Sequence, residues 1–264
     1  MVWLRTAMVA VVLLVTTLVL LPFQLVGLKF DLPMARRIPR WWHWVACRVL
    51  NIRVRVHGRL ETRRPLMLAS SHASWLDILV LGSVADVAFI AKSEVKGWPV
   101  FGHLARWQNS VFIEREQKRA TGKQVSEIAL RMAKGEVIVL FAEGTTGDGN
   151  RVLPFKTSLF GAATSALVSA PDGIVYIQPV AIAYTGYHGV PMGRYHRPVA
   201  VWVGDADLLP HLAGILRAGA FEVDIGFGEP LPFTAETKRK DAAAVLEDRV
   251  RTMLQTHLHG RDID

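Results

Sequence analysis

The sequence predicts an α/β domain built on a mixed, largely parallel sheet flanked by helices, preceded by an N-terminal membrane-anchoring helical segment. Three observations predict this. From residue 52 onward, short apolar runs rich in β-branched residues recur, as in strands covered on both faces. Helical patterns alternate with them, the order of strand–helix–strand units. Ahead of both lies a long stretch that is apolar on every side.

That stretch comes first in the chain. Val9 to Leu21 is apolar apart from Thr16 and Thr17, and Pro22 ends the run. With Met8 and Phe23–Leu28 it covers about twenty residues, enough to span or enter a bilayer. A secretory signal would carry more charge before the apolar run than Arg5 alone and a small-residue cleavage pattern after it. Nine arginines and one acid, Glu61, then lie between Arg36 and Arg64, which accounts for the whole formal charge of +8. A basic block can mean nucleic acid or an anionic membrane surface. Beside an apolar segment it reads as lipid-headgroup contacts and a positive-inside signal, and no nucleic-acid partner is expected. Pro39–Leu50 reads as an interfacial helix, with Trp41, Trp42 and Trp44 among Arg40 and Arg48. Residues 1–51 are therefore expected to be anchor and interfacial helix, and 52–264 the catalytic domain. The lone Cys47 excludes an intramolecular disulfide and agrees with a reducing compartment.

Expected strands are Ile52–His57, Leu66–Ser70, Val87–Ala91, Ser110–Ile113, Val137–Ala142, Tyr176–Ala183, Ala200–Val203 and Glu222–Phe227. Expected helices lie near 75–83, 117–134, 157–169 and 236–258. In the second of these, Val125, Ile128, Ala129 and Met132 recur on one face. Residues 185–197 read as loop.

The chemistry centres on His72-Ala-Ser-Trp-Leu-Asp77. Five residues of helix turn through about 500°, leaving these side chains about 140° apart. They can meet only if His72 sits in the loop after a strand and Asp77 in the first turn of the next helix. A histidine held by a carboxylate there is the form of a general base. Ser74-x-x-Asp77 before an apolar run is equally a capping box, on which reading Asp77 only caps a helix.

Further stretches bear on that choice. Ile90–Gly102 leads into Val111-Phe-Ile-Glu-Arg-Glu116; then come Phe141-Ala-Glu-Gly-Thr145, Pro154-Phe-Lys156 and Gln178-Pro-Val-Ala-Ile182. In this order and spacing, over roughly residues 60–185, they resemble the glycerolipid acyltransferases, specifically the 1-acylglycerol-3-phosphate acyltransferase group. His72…Asp77 matches its H-x4-D motif, and Arg115 falls at the Arg of its second. Phe141–Thr145 matches F-P-E-G-T with Ala142 in place of Pro, and Pro179-Val180 matches the fourth.

The resemblance implies a membrane-bound O-acyltransferase on the cytoplasmic face of the inner membrane. Acyl-ACP or acyl-CoA would be the donor, with no cofactor and no metal, and the acceptor would be the hydroxyl of a lysolipid. His72 and Asp77 would be catalytic. Glu143, Gly144, Thr145, Arg115, Lys92 and Lys156 would hold the acceptor, and backbone N–H groups around Gly144 and Thr145 could meet the oxyanion. Conversion of 1-acylglycerol-3-phosphate to phosphatidate is the first expectation. One departure matters: the family usually carries a phosphate-binding Arg after E-G-T, where this chain has Thr146, a neutral donor in place of a charged fork. Residues 141–156 also resemble bacterial members that acylate lyso-ornithine lipid, which is the alternative acceptor. A non-catalytic membrane-surface lipid-binding module would explain the arginines, but not His72, Asp77, Arg115 and Glu143 in register. A serine hydrolase lacks its G-x-S-x-G elbow, and a metal hydrolase its H-E-x-x-H.

Overall fold

The computed structural model describes residues 2–113, 118–203 and 207–260. Helices α1 (Val2–Lys29) and α2 (Met34–Val49) form an antiparallel hairpin. Pro22 does not end α1, although it removes one backbone donor. The turns on either side are held from outside. Thr17 Oγ1 accepts from Trp42 Nε1 at 2.9 Å, and Gln24 Nε2 donates to the carbonyls of Ala35 (3.0 Å) and Trp107 (2.6 Å).

The hairpin lies against the domain along its length. Near one end of α1, Val9 is buried in the core and Arg5 donates to the Leu50 carbonyl at 3.3 Å. Near the other end, Gln24 reaches Trp107. The opposite face exposes Leu4, Met8, Val11, Leu18, Phe23 and Val26, and α2 exposes Trp41 and Trp44 beside it. Trp3–Lys29 is long and apolar enough to cross a membrane.

The described strands are β1 (Ile52–Gly58), β2 (Leu66–Ser70), β3 (Val87–Lys92), β4 (Val111–Ile113), β5 (Val137–Phe141), β6 (Val175–Tyr187), β7 (Val190–Pro191), β8 (Phe221–Phe227) and β9 (Leu231–Phe233). They form one sheet in the order β1-β8-β6-β2-β5-β3-β4, with β7 and β9 also pairing β6. From β6 to β4 every neighbour is parallel, while β8 runs antiparallel to β6 and parallel to β1. The expected mixed, largely parallel sheet is what forms.

Successive residues of each strand serve opposite faces. Leu66 and Leu68 join the core that takes in Ala46 and Leu50 from the hairpin region. Leu76 and Val80 of α3 (Leu76–Val84) pack on that same side. Met67 and Ala69 join the other core, under α5 (Lys118–Ala133), α6 (Gly161–Ala166) and α8 (Arg239–Leu258). Two further helices, α4 (Phe101–Trp107) and α7 (Leu208–Ala218), have no counterpart in the sequence expectation. The 157–169 helix forms only as α6 between 3-10 turns at Thr157–Phe160 and Leu167–Ser169.

Two expectations are corrected. Ala200–Val203 is not a strand: it follows a 3-10 turn, and its backbone partner is a loop, Trp202 N–H donating to the Ala73 carbonyl at 2.8 Å. Residues 185–191 are not all loop, since β6 runs on to Tyr187 and turns back into β7.

Candidate active site

β2 and β5 end level with one another, Ser70 opposite Phe141, while β6 runs on beyond Val180, its residue opposite Ser70. The loops that carry His72 and Glu143 therefore leave adjacent strands at one edge, the carboxyl end of the parallel strands, where α/β sheets open their crevices. Residues 71–75 bridge β2 to α3, and Asp77 falls in the first turn of α3. His72 Nδ1 lies 2.9 Å from Asp77 Oδ2.

Asp77 is fully buried, so each oxygen needs partners. Oδ2 also accepts from the N–H of Ala73 (2.7 Å) and Ser74 (2.9 Å), and Oδ1 accepts from Tyr184 Oη at 2.6 Å. The Ser74 contact is one half of a capping box; the Ser74 hydroxyl itself accepts from the Leu76 N–H at 3.3 Å and not from that of Asp77. One oxygen thus accepts N–H bonds at the start of the helix and lies within hydrogen-bond reach of the imidazole, so the two contacts coexist. No Lys or Arg pairs with Asp77 among the described residues. The imidazole stacks on Phe141, centroids 3.8 Å apart and planes 15° apart, and its side chain keeps 17% exposure. With Nδ1–H donating to the carboxylate, the lone pair stands on Nε2.

Glu143 is buried and clamps the backbone of His72. Its Oε1 accepts from His72 N–H at 2.8 Å, and Oε2 from Leu153 N–H at 3.0 Å. Gly147 N–H donates to the His72 carbonyl at 2.8 Å, so both peptide groups of His72 are tied to the loop after β5. Burial pushes the Glu143 carboxyl up to about 8, against the pull of its two N–H bonds.

Gly144 has φ of +72°, which a side chain would strain, and its N–H is committed to the Phe141 carbonyl at 3.0 Å. That N–H serves the turn and is not presented to a developing oxyanion. The Lys156 side chain crosses Gly144 so closely that a Cβ there would lie 2.9 Å from its Cδ. Thr145 is exposed at this turn, and Lys92 is exposed at the carboxyl end of β3. His72, Asp77, Glu143, Gly144, Thr145 and Lys156 are therefore gathered at one edge, with Lys92 two strands away. Arg115 lies outside the described residues.

Sequence reasoning missed Tyr184 and Arg197. Tyr184 is buried near the end of β6 and reaches Asp77 across the core. Arg197 is buried behind it, donating from Nε to the Tyr184 carbonyl (3.2 Å), from Nη2 to the Met192 carbonyl (2.8 Å) and from Nη1 to Asn150 Oδ1. It joins the end of β6 to the loop that begins at Glu143. Tyr184 ends a run of alternating core residues, a usable hint; Arg197 sits in loop-like sequence that offers none. Among the described residues no three His, Cys, Asp or Glu side chains gather as a metal would need.

Chemically, the arrangement offers a part-exposed imidazole whose Nδ1 faces a buried carboxylate, leaving Nε2 free to take a proton, at the carboxyl end of the parallel strands. Residues 52–183 match the family model Acyltransferase. The chain is 57% identical to the lyso-ornithine lipid O-acyltransferase of Rhizobium meliloti (strain 1021), covering 98% of this chain and 89% of that one. It is 52% identical to the lyso-ornithine lipid O-acyltransferase of Brucella abortus (strain 2308), covering 98% and 97%. A solved structure with the same fold is the 1-acyl-sn-glycerophosphate (LPA) acyltransferase PlsC of Thermotoga maritima, with TM-score 0.64 and 22% identity over the full length of both chains.

Proposed function

From the premise that this chain belongs to the Acyltransferase family and is an acyltransferase of lysolipids, we propose that its acceptor is lyso-ornithine lipid, acylated on its free hydroxyl. This replaces the phosphatidate-forming reaction as the first reading. The observation that carries it is identity above half, over nearly the whole chain, to relatives of that name. Thr146 agrees, since a zwitterionic amino-acid headgroup does not demand the guanidinium that a phosphate ligand would supply.

In the proposed step, His72 Nε2 takes the proton of the acceptor hydroxyl as its oxygen attacks the thioester carbonyl. The C–O bond forms, the tetrahedral intermediate collapses with loss of the C–S bond, and the imidazolium returns its proton to the departing thiolate. Asp77 stabilises the imidazolium through Nδ1. Such general-base help is typically worth about 10²–10⁴-fold. Glu143 fixes where the ring stands by holding the His72 peptide. Lys156 and Lys92 offer positive charge along the crevice edge, and Arg115 would join them.

The protein works from one leaflet, on the cytoplasmic face of the inner membrane. Both ends of α1 touch the domain, through Val9 in the core and Arg5 against Gly219 at one end and Gln24 on the Trp107 carbonyl at the other, so crossing a bilayer would draw those neighbours in. A membrane-impermeant maleimide should label Leu4→Cys and Lys29→Cys from the same side of sealed vesicles; opposite sides would overturn this. The acceptor is tested with purified full-length protein given lyso-ornithine lipid and lysophosphatidate, each with acyl-ACP and acyl-CoA. Lyso-ornithine lipid is expected to be preferred, with Thr146→Arg raising the share of lysophosphatidate. Preference of the wild type for lysophosphatidate would sink the acceptor assignment.

A further inference from the structure

A cavity of about 260 Å³ opens at the edge of the sheet opposite His72, where Val87 and Val137 begin β3 and β5. The length of β5 alone puts about 13 Å between that edge and the reacting one. The cavity walls carry Arg36 and Arg37 of α2, Arg64 ahead of β2 and Arg131 of α5, against Asp86 and Glu136. Glu136 is taken by Arg131, at 3.0 Å to Nε and 2.6 Å to Nη2. Arg36 stands 3.9 Å from the other Glu136 oxygen. Arg40 Nη1 pairs with Asp86 Oδ1 at 3.8 Å, too long for a hydrogen bond.

That leaves Arg37 and Arg64 without an ion pair among the described residues. Arg64 bonds the backbone carbonyls of Glu61 (2.8 Å) and Arg63 (2.9 Å) and is half-buried, and that burial lowers its pKa against the pull of the Glu61 carboxylate. Two buried polar atoms of the lining residues have no hydrogen-bond partner in the described protein, the donor Gln108 Nε2 and the acceptor Asp86 Oδ1. Buried polar groups are ordinarily satisfied, so both ask for a ligand. The rim includes Pro33 and Ala35, in the turn that exposes Phe30 and Leu32 beside the apolar face of α1.

We propose that this cavity is a second, non-reacting site that takes a phosphate group, Arg37, Arg64 and Gln108 Nε2 holding the anion and a hydroxyl on the same headgroup satisfying Asp86. Its place beside the apolar face makes an anionic phospholipid the source, and free phosphate is the alternative that the test separates. The headgroup does not reach His72, so the site positions the protein on the leaflet and takes no part in acyl transfer.

The test uses detergent-solubilised full-length protein, with phosphatidylglycerol and inorganic phosphate as separate probes. Binding is read by native mass spectrometry for the lipid and by calorimetry for phosphate. The wild type should bind phosphatidylglycerol, and the double variant Arg37→Gln, Arg64→Gln should bind it at least about tenfold more weakly, the cost of charged hydrogen bonds. Arg53→Gln, which removes an exposed arginine of β1 away from the cavity, should bind as the wild type does. If inorganic phosphate binds and the double variant loses it while the lipid is indifferent, the anion site stands with free phosphate as its occupant. Wild-type affinity of the double variant for both probes, or equal loss in Arg53→Gln, overturns the proposal. Thermal melting checks that the double variant folds; should it not, Arg37→Gln alone, an exposed position, carries the same comparison.

Discussion

The described residues hold two histidine–aspartate pairs of nearly the same length, His72 Nδ1–Asp77 at 2.9 Å and His57 Nε2–Asp224 at 2.7 Å. They differ in what else the carboxylate touches. Asp224 is gripped by Arg55, at 2.9 Å to Nε and 3.0 Å to Nη2, and by Thr185. Burial would push its carboxyl up, but these bonds and that of His57 hold it below the usual range. A second imidazole, His257, packs 4.6 Å from His57, and its own pKa is lowered by burial first and by His57 second. Among the described residues Asp77 meets no Lys or Arg, only His72, two peptide N–H groups and the Tyr184 hydroxyl. Its charge is therefore still available to a proton arriving on His72, whereas that of Asp224 is already spent on Arg55. A short His–Asp distance does not by itself make a base; the carboxylate must lack a better partner.

Several substitutions would break or sharpen that contrast. The largest effect is expected at His72 and Asp77. His72→Ala should lower acyl transfer by about 10²–10⁴-fold with folding intact, and Asp77→Asn by a similar factor through loss of tautomer control. Steady-state assays of the purified protein with near-wild-type rates would sink the assignment. Next comes Tyr184→Phe, which removes one bond to the carboxylate and should slow turnover about tenfold; an unchanged rate would mean that the peptide N–H groups alone hold Asp77.

Glu143→Gln tests the clamp through pH. The folded carboxyl is raised to about 8 from an ordinary 4.5, so the folded state binds more protons between those values. This contribution to stability is full below the unfolded pKa and is lost as pH rises through about 8. Melting temperature should therefore fall across that window in the wild type and fall less in Glu143→Gln; parallel curves would refute it. The smallest effect is expected from His57→Ala, which should leave the rate close to wild type and touch only thermal stability.

The sequence made His72 and Asp77 legible because their contact is local, five residues apart and dictated by where a strand ends and a helix begins. The strands were legible because both faces of the sheet are buried, leaving continuous apolar runs at Leu66–Ser70 and Val137–Phe141. Tyr184 was at most hinted at, because it reaches Asp77 only through the pairing of β6 with β2, more than a hundred residues away in sequence. Arg197 was not legible, because it joins through loop contacts to Tyr184 and Asn150. Ala200–Val203 misled for the opposite reason: its apolar, β-branched residues suit a strand, yet its backbone partner is the loop at Ala73. Helix α7 was hidden by Pro210 and Gly214 within it. The role of Glu143 was half legible, since the motif marks the residue but not that its oxygens face peptide groups of the chain.

The way α1 lies along the domain, fastened near both ends, has a kinetic consequence. In the proposed one-leaflet placement, the enzyme meets its lipid by sliding in two dimensions, and the concentration it senses is the mole fraction of acceptor in that layer. Diluting the acceptor with inert lipid at constant total amount should slow the reaction as removing acceptor would, while adding more vesicles of the same composition should not.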